Sequence, residues 1–301
     1  MSQKILVLGA TGNVGQPLVQ ALLARGQHVK AASRSGKPVA GAEGVVFDYA
    51  RPETFHAAFD GVDRAYVMLP GGHVNSKELL LPVIQAAAAR RVKVVLQTVF
   101  GVDADDAIPY RQVEIALERS GTPYVILRPN WFSDNFHNFW KAGIDHGQIA
   151  LPAGTGKSSF IDVRDIAESA AVALTTDRFD GQSFNLTGPE TVSYADAAQL
   201  LSEVAGKPVR YVPIDDSAFV EALTGAGVAR DYADFLASIF HPVREGWTAA
   251  VTDHVQTLTG ISGRVNAIRQ RGGNVEGAEG PLVRQELQAD CYAGLWAHHA
   301  Q

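Results

Sequence analysis

The stretch KILVLGATGNVG, residues 4–15, decides the fold that the rest of the chain follows. It begins as an unbroken apolar run, which is typical of a strand buried on both faces of a parallel sheet. Glycines then recur with G-x-x-G-x-x-G spacing at Gly9, Gly12 and Gly15, and residues 14–23 place apolar side chains at helical spacing. A strand, a glycine turn and a helix in this order predict the opening unit of a doubly wound α/β sheet.

The same alternation continues outward from this stretch. Five more apolar runs predict strands, and helical patterns separate most of them; the runs are HVKAASR (28–34), GVVFD (44–48), RAYVMLP (64–70), VKVVLQTV (92–99) and PYVILRP (123–129). Strands that alternate with helices form parallel sheets with right-handed crossovers. We therefore predict an α/β fold with a doubly wound, mostly parallel Rossmann sheet and a smaller, interleaved α/β substrate region.

The composition limits the classes of function. With 46% hydrophobic and 19% charged residues among 301, the chain has ample material for a buried core. The net charge is −6 and no basic run occurs, so we expect no nucleic-acid partner. No apolar segment reaches the roughly 18 residues that a membrane helix needs, and the first residues lack a signal-peptide pattern. The single cysteine, Cys291, fits a reducing compartment, so we expect a cytoplasmic protein without a membrane partner.

The glycine turn is the first candidate binding site. Glycines allow a tight turn and a close approach of the backbone, while the N-terminus of the following helix offers free N–H groups to a pyrophosphate. The strand–turn–helix context favours a dinucleotide over a glycine-rich turn without a ligand. The predicted cofactor-binding residues of this turn are Gly9, Thr11, Gly12, Asn13, Val14 and Gly15.

The end of the second predicted strand indicates which dinucleotide binds. An NAD site places Asp or Glu there to hold the ribose hydroxyls, whereas this chain has ASRSGKP, with Arg34 and Lys37. These cations suit a 2′-phosphate, so we predict NADP (NADPH) as the cofactor and keep NAD as the alternative. A solvated basic turn without a ligand is the competing interpretation. Asp48 is placed to reach the adenine edge, and Leu69 and Pro70 to lie under the riboses of the dinucleotide.

The rhythm of the elements suggests three parts. We predict an NAD(P)-binding Rossmann domain over residues 1–150 and an interleaved substrate-covering region with the last sheet elements over residues 151–258. An atypical tail then occupies residues 259–301. In the second part, Thr191 or Ser193 is placed to cap a helix that begins near Tyr194.

Three stretches resemble the NmrA-like branch of the atypical short-chain dehydrogenases/reductases: ILVLGATGNVGQPLVQALLARGQHVKAASR (5–34), VILRPNWFSDNF (125–136) and SSFIDVRDIAESAAVAL (158–174). The resemblance covers about residues 3–258 and implies NAD(P)H-dependent reduction of quinones or azo compounds. Other members of this branch bind the cofactor without turnover and act as redox-sensing regulators. The resemblance therefore leaves both functions open.

The resemblance also identifies positions for catalytic residues. In the wider superfamily a Ser, a Tyr and a Lys polarise a carbonyl and deliver a proton. The Tyr position falls at Asp106 and the Lys position at Tyr110, while Thr98 stands near the Ser position. Tyr110 is followed four residues later by Glu114 and not by a Lys. The proton-relay dyad is therefore missing, and Thr98 and Tyr110 are the catalytic candidates that remain.

The run NWFSDNFHNFW, residues 130–140, combines aromatic and polar side chains and is typical of a pocket wall. A flat acceptor can stack on such rings while asparagine amides orient it. We predict substrate contacts for Asn130, Trp131, Phe132 and Asn135. The competing interpretation, which stays open for Phe132 and Phe136, assigns these rings to the hydrophobic core.

These patterns predict an NADPH-dependent oxidoreductase that transfers hydride to a flat, electron-poor acceptor such as a quinone or an azo compound, without the Tyr/Lys dyad. Hydride transfer creates a delocalised anion on such an acceptor, which water can protonate, so orientation supplies most of the catalysis. The alternative is a non-catalytic NAD(P)-binding redox sensor or regulatory protein. The expected partner is a small-molecule acceptor, and a homodimer is a further hypothesis.

The tail departs from this pattern. From about residue 255 we interpret the sequence as a junction, with residues 272–281 as a flexible linker and residues 282–299 as one helix. The segment ELQADCYAG, residues 286–294, resembles a C-terminal fragment of neutral zinc metallopeptidases, and this resemblance makes Glu286 a zinc ligand. The sequence contains no H-E-x-x-H to supply the histidine partners, so we predict no metal site.

Overall fold

The computed structural model describes residues 3–260, which fold into alternating strands and helices. The strands are β1 (Lys4–Leu8), β2 (His28–Ser33), β3 (Glu43–Val46), β4 (Arg64–Val67), β5 (Lys93–Gln97), β6 (Tyr124–Pro129), β7 (Gln148–Leu151), β8 (Lys157–Ser158), β9 (Gln182–Leu186), β10 (Val192–Ser193) and β11 (Arg210–Pro213). The helices are α1 (Gly15–Ala24), α2 (Glu53–Phe59), α3 (Ser76–Ala88), α4 (Pro109–Glu118), α5 (Lys141–Asp145), α6 (Val163–Thr175), α7 (Tyr194–Ala205), α8 (Asp216–Gly225), α9 (Arg230–Ser238), α10 (His241–Arg244) and α11 (His254–Thr259).

Seven strands form one parallel sheet in the order β3-β2-β1-β4-β5-β6-β9. In β1, Val7 pairs with Ala31 of β2 on one side and with Tyr66 of β4 on the other. The chain first builds outward from β1 through β2 and β3, and then returns to add β4, β5 and β6 on the opposite side. This arrangement confirms the predicted doubly wound α/β fold and puts its topological switch point beside β1.

Helices cover both faces of this sheet, so its central strands β1, β4, β5 and β6 are almost entirely buried. Ile5 and Leu8 of β1 have no exposed surface. On one face, α2, α3 and α4 enclose a core that includes Phe55, Leu80 and Leu117. Elsewhere α1 packs against α6. The carboxyl ends of the parallel strands all meet at one edge of the sheet, and the predicted cofactor residues lie at that edge.

The described residues form two compact units, and the chain passes between them several times. The first comprises residues 3–129, 163–186 and 257–260, and it contains the whole seven-stranded sheet. The second comprises residues 130–162 and 187–256. The boundaries after residues 150 and 258, which were meant to separate the cofactor-binding domain, the substrate-covering region and the tail, stay predictions. The linker and helix predicted for the tail lie outside the described residues.

The second unit contains a parallel pair of strands, β7 and β11, and an antiparallel pair, β8 and β10. Its core is rich in aromatic residues, among them Phe136, Tyr194 and Phe240. Ser193 caps helix α7: its hydroxyl accepts a hydrogen bond from the N–H of Asp196, while the Asp196 carboxylate accepts one from the N–H of Ser193. Of the two predicted caps, Ser193 is therefore the one that the helix uses. In residues 3–260, no helix has the length and apolar character needed to cross a bilayer.

Candidate functional site

The glycine turn between β1 and α1 has no room for side chains at two of its positions. Gly9 has φ = +68°, a left-handed conformation that favours glycine, and a Cβ there would lie 2.8 Å from Sδ of Met68. A Cβ on Gly15 would lie 2.0 Å from the carbonyl oxygen of Gly9. The start of α1 therefore approaches the backbone of Gly9 and Ala10 more closely than a side chain at position 15 would allow.

The start of α1 faces solvent at the carboxyl edge of the sheet. Thr11, Gly12 and Asn13 are exposed, whereas Val14 and Gly15 are buried. No side chain caps the helix at Val14. Because the N–H groups and the positive end of the helix dipole attract anions, an uncapped N-terminus beside a glycine turn has the chemistry of a diphosphate site.

A basic turn follows the neighbouring strand, β2. Arg34 and Lys37 are exposed, and neither forms an ion pair within residues 3–260. Gly36, between them, has φ = +64°. A Cβ on Gly44 of β3 would lie 2.2 Å from the carbonyl oxygen of Gly36, so the turn packs directly on β3. The fold thus holds two cations next to the strand that carries the glycine turn.

The other predicted cofactor residues lie at the same edge. Oδ1 of Asp48 accepts a hydrogen bond of 3.0 Å from the N–H of Ala50, just before α2. Leu69 is 8% exposed and its side chain belongs to the core, while Pro70 is exposed. Leu69 can therefore meet a ligand mainly through its backbone, and the assignment of all three as cofactor residues stays a prediction.

A buried carboxylate lies behind the end of β5. Glu114 of α4 has no exposed surface. Its Oε1 accepts hydrogen bonds from the hydroxyl of Thr98 (2.6 Å) and from Nε of Arg128 (2.9 Å). Its Oε2 accepts from Nη2 of Arg128 (2.8 Å) and from Nη1 of Arg111 (3.0 Å). These four bonds occupy the acceptor positions of the carboxylate, and the hydroxyl group of Thr98 uses its one donor in a hydrogen bond within the protein.

The two arginines extend these contacts towards the surface. Nη1 of Arg128 donates to Asp103, 2.6 Å away on the loop that follows β5. Arg111 also donates to Glu118 (2.7 Å) and Asp106 (3.2 Å). The hydrogen bond to Glu118 is the largest cause that raises the pKa of the Arg111 guanidinium above its ordinary value. We use the name Glu114 cluster for the side chains of Thr98, Asp103, Arg111, Glu114 and Arg128.

Sequence reasoning missed this cluster, although two signals pointed to it. Arg128 interrupts the otherwise apolar run of β6, and Glu114 lies on the buried face of α4 beside Val113 and Leu117. Charged residues are rarely buried unless they are paired. A charged residue at a core position in each of two neighbouring elements therefore indicates a buried ion pair.

The second catalytic candidate has different surroundings. Tyr110 lies partly buried in the first turn of α4 and packs against the core beneath α3 and α4. Thr98 is 3% exposed. Their catalytic roles stay predictions, and the placement of each side chain is accounted for by contacts within the protein.

In the second unit, the predicted substrate segment begins directly after β6. Asn130 is 4% exposed. Its amide nitrogen donates to Oγ of Ser159 and to the carbonyl of Thr248, both at 2.8 Å, and its Oδ1 accepts from the N–H of Trp131. Both amide hydrogens of Asn130 are thus used inside the protein, and this residue fixes the shape of the segment.

The aromatic residues of this segment divide between core and surface. Phe136 is 2% exposed and belongs to the core, as the competing interpretation held. Trp131, Phe132 and Asn135 are only partly buried. The ring of Trp131 lies 4.9 Å from that of Phe240. Trp131, Phe132 and Asn135 therefore keep surface that a ligand can reach.

The described part of the chain brings no three His, Cys, Asp or Glu side chains together as a metal site. Glu286, the residue that the zinc-peptidase resemblance singles out, lies outside the described residues.

Comparison with protein families finds matches for both parts of the chain. A model described as the NmrA-like family matches residues 1–246. A model described as neutral zinc metallopeptidase matches residues 247–301. The tail thus resembles a different family from the remainder of the chain.

Individual relatives cover most of the chain. The uncharacterized oxidoreductase YesF of Bacillus subtilis (strain 168) is 33% identical over 258 residues, which are 85% of this chain and 90% of that protein. The NAD(P)H azoreductase of Xenophilus azovorans is 30% identical over 274 residues, which are 87% of this chain and 95% of that protein. The crystal structure of Citrobacter sp. triphenylmethane reductase complexed with NADP(H) matches with a TM-score of 0.73 at 28% identity, over 85% of this chain and 95% of that one.

The close approach at the glycine turn predicts that Gly15→Ala destabilises the protein. The added methyl group would collide with the carbonyl oxygen of Gly9 and force α1 away from β1. Overpacking of this kind costs about 1–3 kcal/mol, which a urea or thermal unfolding curve resolves. Gly225→Ala is the matched control, because a Cβ at that position meets no atom within 4 Å. A Gly15→Ala protein as stable as the parent would contradict the contact.

Proposed function

The chain belongs to the NmrA-like family, and from this premise we propose that it is an NADPH-dependent reductase. In this proposal it transfers hydride to a flat, electron-poor acceptor such as a quinone or an azo compound, without a Tyr/Lys proton relay. The observation that carries the proposal is the backbone contact between Gly9 and Gly15, which leaves an uncapped helix N-terminus at the switch point of a doubly wound sheet.

The glycine turn fits the diphosphate of a dinucleotide. Gly12 is exposed and has no side chain to keep a ligand at a distance. The N–H donors would come from the turn that leads into α1, because Pro17 has no N–H and that of Gln16 donates to the carbonyl of Gly12. A diphosphate there would lie over the end of β1, between the ends of β2 and β4. The related triphenylmethane reductase, whose structure holds NADP(H), supports this assignment.

The basic turn favours NADPH over NADH. Arg34 and Lys37 have no ion-pair partner within the described residues, so a 2′-phosphate would not have to displace a carboxylate. A guanidinium binds a phosphate through two parallel hydrogen bonds, which makes Arg34 the main contact in this proposal and Lys37 a second charge.

Bound NADPH supplies the hydride, and the side chains of this chain bind and orient the two reactants. Trp131 and Phe132 offer ring surface on which a flat acceptor stacks, and the amide of Asn135 orients it. Asn130 acts indirectly, because its hydrogen bonds to Ser159 and Thr248 hold this segment in place. The anion that forms on a quinone or azo compound takes its proton from water, so no side chain has to act as an acid.

The second candidate function is a redox sensor that binds NAD(P) without turnover. One observation favours it: the hydroxyl proton of Thr98 is engaged by Glu114, so the residue nearest the superfamily's Ser position has no proton to offer a substrate carbonyl. A protein of this kind would bind NADPH through the same glycine turn.

Turnover distinguishes the two candidates. The purified full chain is mixed with NADPH and a panel of quinones and azo dyes, and the absorbance of the reduced nicotinamide is followed. Steady oxidation that requires both the protein and an acceptor supports the reductase. Tight binding of NADPH without oxidation by any acceptor contradicts the reductase and supports the sensor.

Cofactor preference should depend on Arg34. In Arg34→Ala the dissociation constant of NADPH should rise roughly 10- to 100-fold, as expected for the loss of a charged hydrogen-bond donor to a phosphate. That of NADH should change little, because NADH lacks the 2′-phosphate. Arg90→Ala is the matched control, since Arg90 is also exposed but precedes β5 at the opposite edge of the sheet. Equal losses for both cofactors would argue against a 2′-phosphate contact.

Tyr110→Phe tests whether a side-chain acid takes part. Because water can protonate the reduced acceptor, we expect kcat with a quinone to stay close to that of the parent. General acid catalysis contributes about 10²–10⁴-fold, so a loss of that size would make Tyr110 the proton donor. The thermal unfolding midpoint of the variant is measured alongside, because Tyr110 also packs against the core.

A further inference from the structure

The loop after β5, residues 98–104, is fastened at two points by the Glu114 cluster. At its start, the hydroxyl of Thr98 donates to Glu114 at 2.6 Å. Near its end, Asp103 accepts a hydrogen bond of 2.6 Å from Arg128. Both anchors connect to the carboxylate of Glu114. Thr98 binds it directly, whereas Asp103 is linked to it through Arg128.

Backbone hydrogen bonds attach the first half of this loop to the strand that carries Arg128. The N–H of Thr98 donates to the carbonyl of Leu127 at 2.9 Å, and the N–H of Phe100 donates to that of Pro129 at 3.0 Å. Beyond these bonds the loop turns at Gly101, which has φ = +80°. The second half is held by the burial of Val102, which is 7% exposed, and by the bond from Arg128 to Asp103.

The geometry of Arg128 makes Glu114 the residue on which both anchors depend. Glu114 accepts from Nε and Nη2 of the same guanidinium, and such a two-pronged contact fixes the plane of the arginine. The remaining nitrogen, Nη1, is thereby directed at Asp103. Arg128 is 6% exposed and Glu114 is 0% exposed, so solvent does not compete for the bonds between them, whereas Asp103 is exposed.

The strand order gives this loop a defined place along a bound dinucleotide. β5 lies two strands from β1, on the side away from β2, which corresponds to about 10 Å at the usual strand spacing. The basic turn that would hold the adenosine 2′-phosphate follows β2. A dinucleotide that crosses the glycine turn from β2 therefore extends its nicotinamide half past the ends of β4 and β5. In the loop that follows β5, the side chain of Val99 is 45% exposed.

We propose that Glu114 and Arg128 are positioning residues that hold the loop 98–104 against the nicotinamide half of the bound dinucleotide. This inference rests on the proposed reductase function. Thr98 acts through Glu114 in this account and does not touch the acceptor. The loop borders the reacting end of the cofactor and not its adenosine end, so loosening it changes the rate of hydride transfer more than the affinity for NADPH.

Mild variants at the two anchors test the proposal without emptying the buried site. Thr98→Val removes the hydroxyl and keeps the branched shape, Thr98→Ser keeps the hydroxyl, and Asp103→Asn weakens the second anchor. We expect Thr98→Val and Asp103→Asn each to lower kcat roughly 10-fold, since small misplacements of reacting groups have effects of that order, while Thr98→Ser retains the parent rate. The dissociation constant of NADPH should stay within about 2-fold of the parent value in all three, because the diphosphate site is untouched.

Amide hydrogen exchange of the NADPH complex provides a readout that does not depend on turnover. Exchange within residues 98–104 should accelerate in Thr98→Val and Asp103→Asn, while exchange within residues 9–15 stays as in the parent. Glu118→Gln is the matched control, because Glu118 binds Arg111 on the same helix but does not contact the loop.

Two results would overturn the positioning role. One is unchanged kcat and unchanged exchange in both anchor variants, and the other is a loss of NADPH affinity that parallels the loss of kcat, which would indicate general destabilisation. A parent protein that binds NADPH but oxidises it with none of the quinones or azo dyes would instead refute the proposed function. Hydrogen exchange in residues 98–104 would then decide the positioning role by itself.

Discussion

The first turn of α1 touches the end of β1 through backbone atoms, and the remainder of the site is arranged around this contact. Because Gly15 has no Cβ, the N-terminus of α1 can contact the carbonyl of Gly9 at the switch point of the sheet. The neighbouring strand ends then lie on either side of the glycine turn. The basic turn with Arg34 follows β2 on one side, and the loop with Thr98 follows β5 on the other.

An electrostatic requirement determines how the buried side chains at the end of β5 are arranged. A buried carboxylate is stable only when hydrogen bonds replace its hydration, and Glu114 meets this requirement with four bonds from three side chains. The same bonds engage the hydroxyl of Thr98. Of the two catalytic candidates, Thr98 is thus engaged in a buried ion cluster, while Tyr110 lies outside it.

Much of the fold could be predicted from the sequence, because local patterns encode it. The apolar runs and the spacing of Gly9 and Gly15 led directly to β1, α1 and the doubly wound sheet. Position before a helix gave Thr191 and Ser193 as possible caps, and the helix uses Ser193. The Glu114 cluster was missed because its members come from the end of β5, α4 and β6 and meet only through the sheet order. The sequence alone could not show whether Asn130 contacts a ligand or another part of the protein, since an asparagine amide can bind either a ligand or Ser159.

The most direct test of the account is a calorimetric titration of the full chain with NADPH and, separately, with NADH. We expect saturable 1:1 binding of NADPH with a dissociation constant below about 1 mM, within the usual range for enzyme ligands, and weaker binding of NADH. If neither dinucleotide binds at millimolar concentrations, the glycine turn is a structural feature only, and the assignment of a cofactor to this sheet edge is wrong.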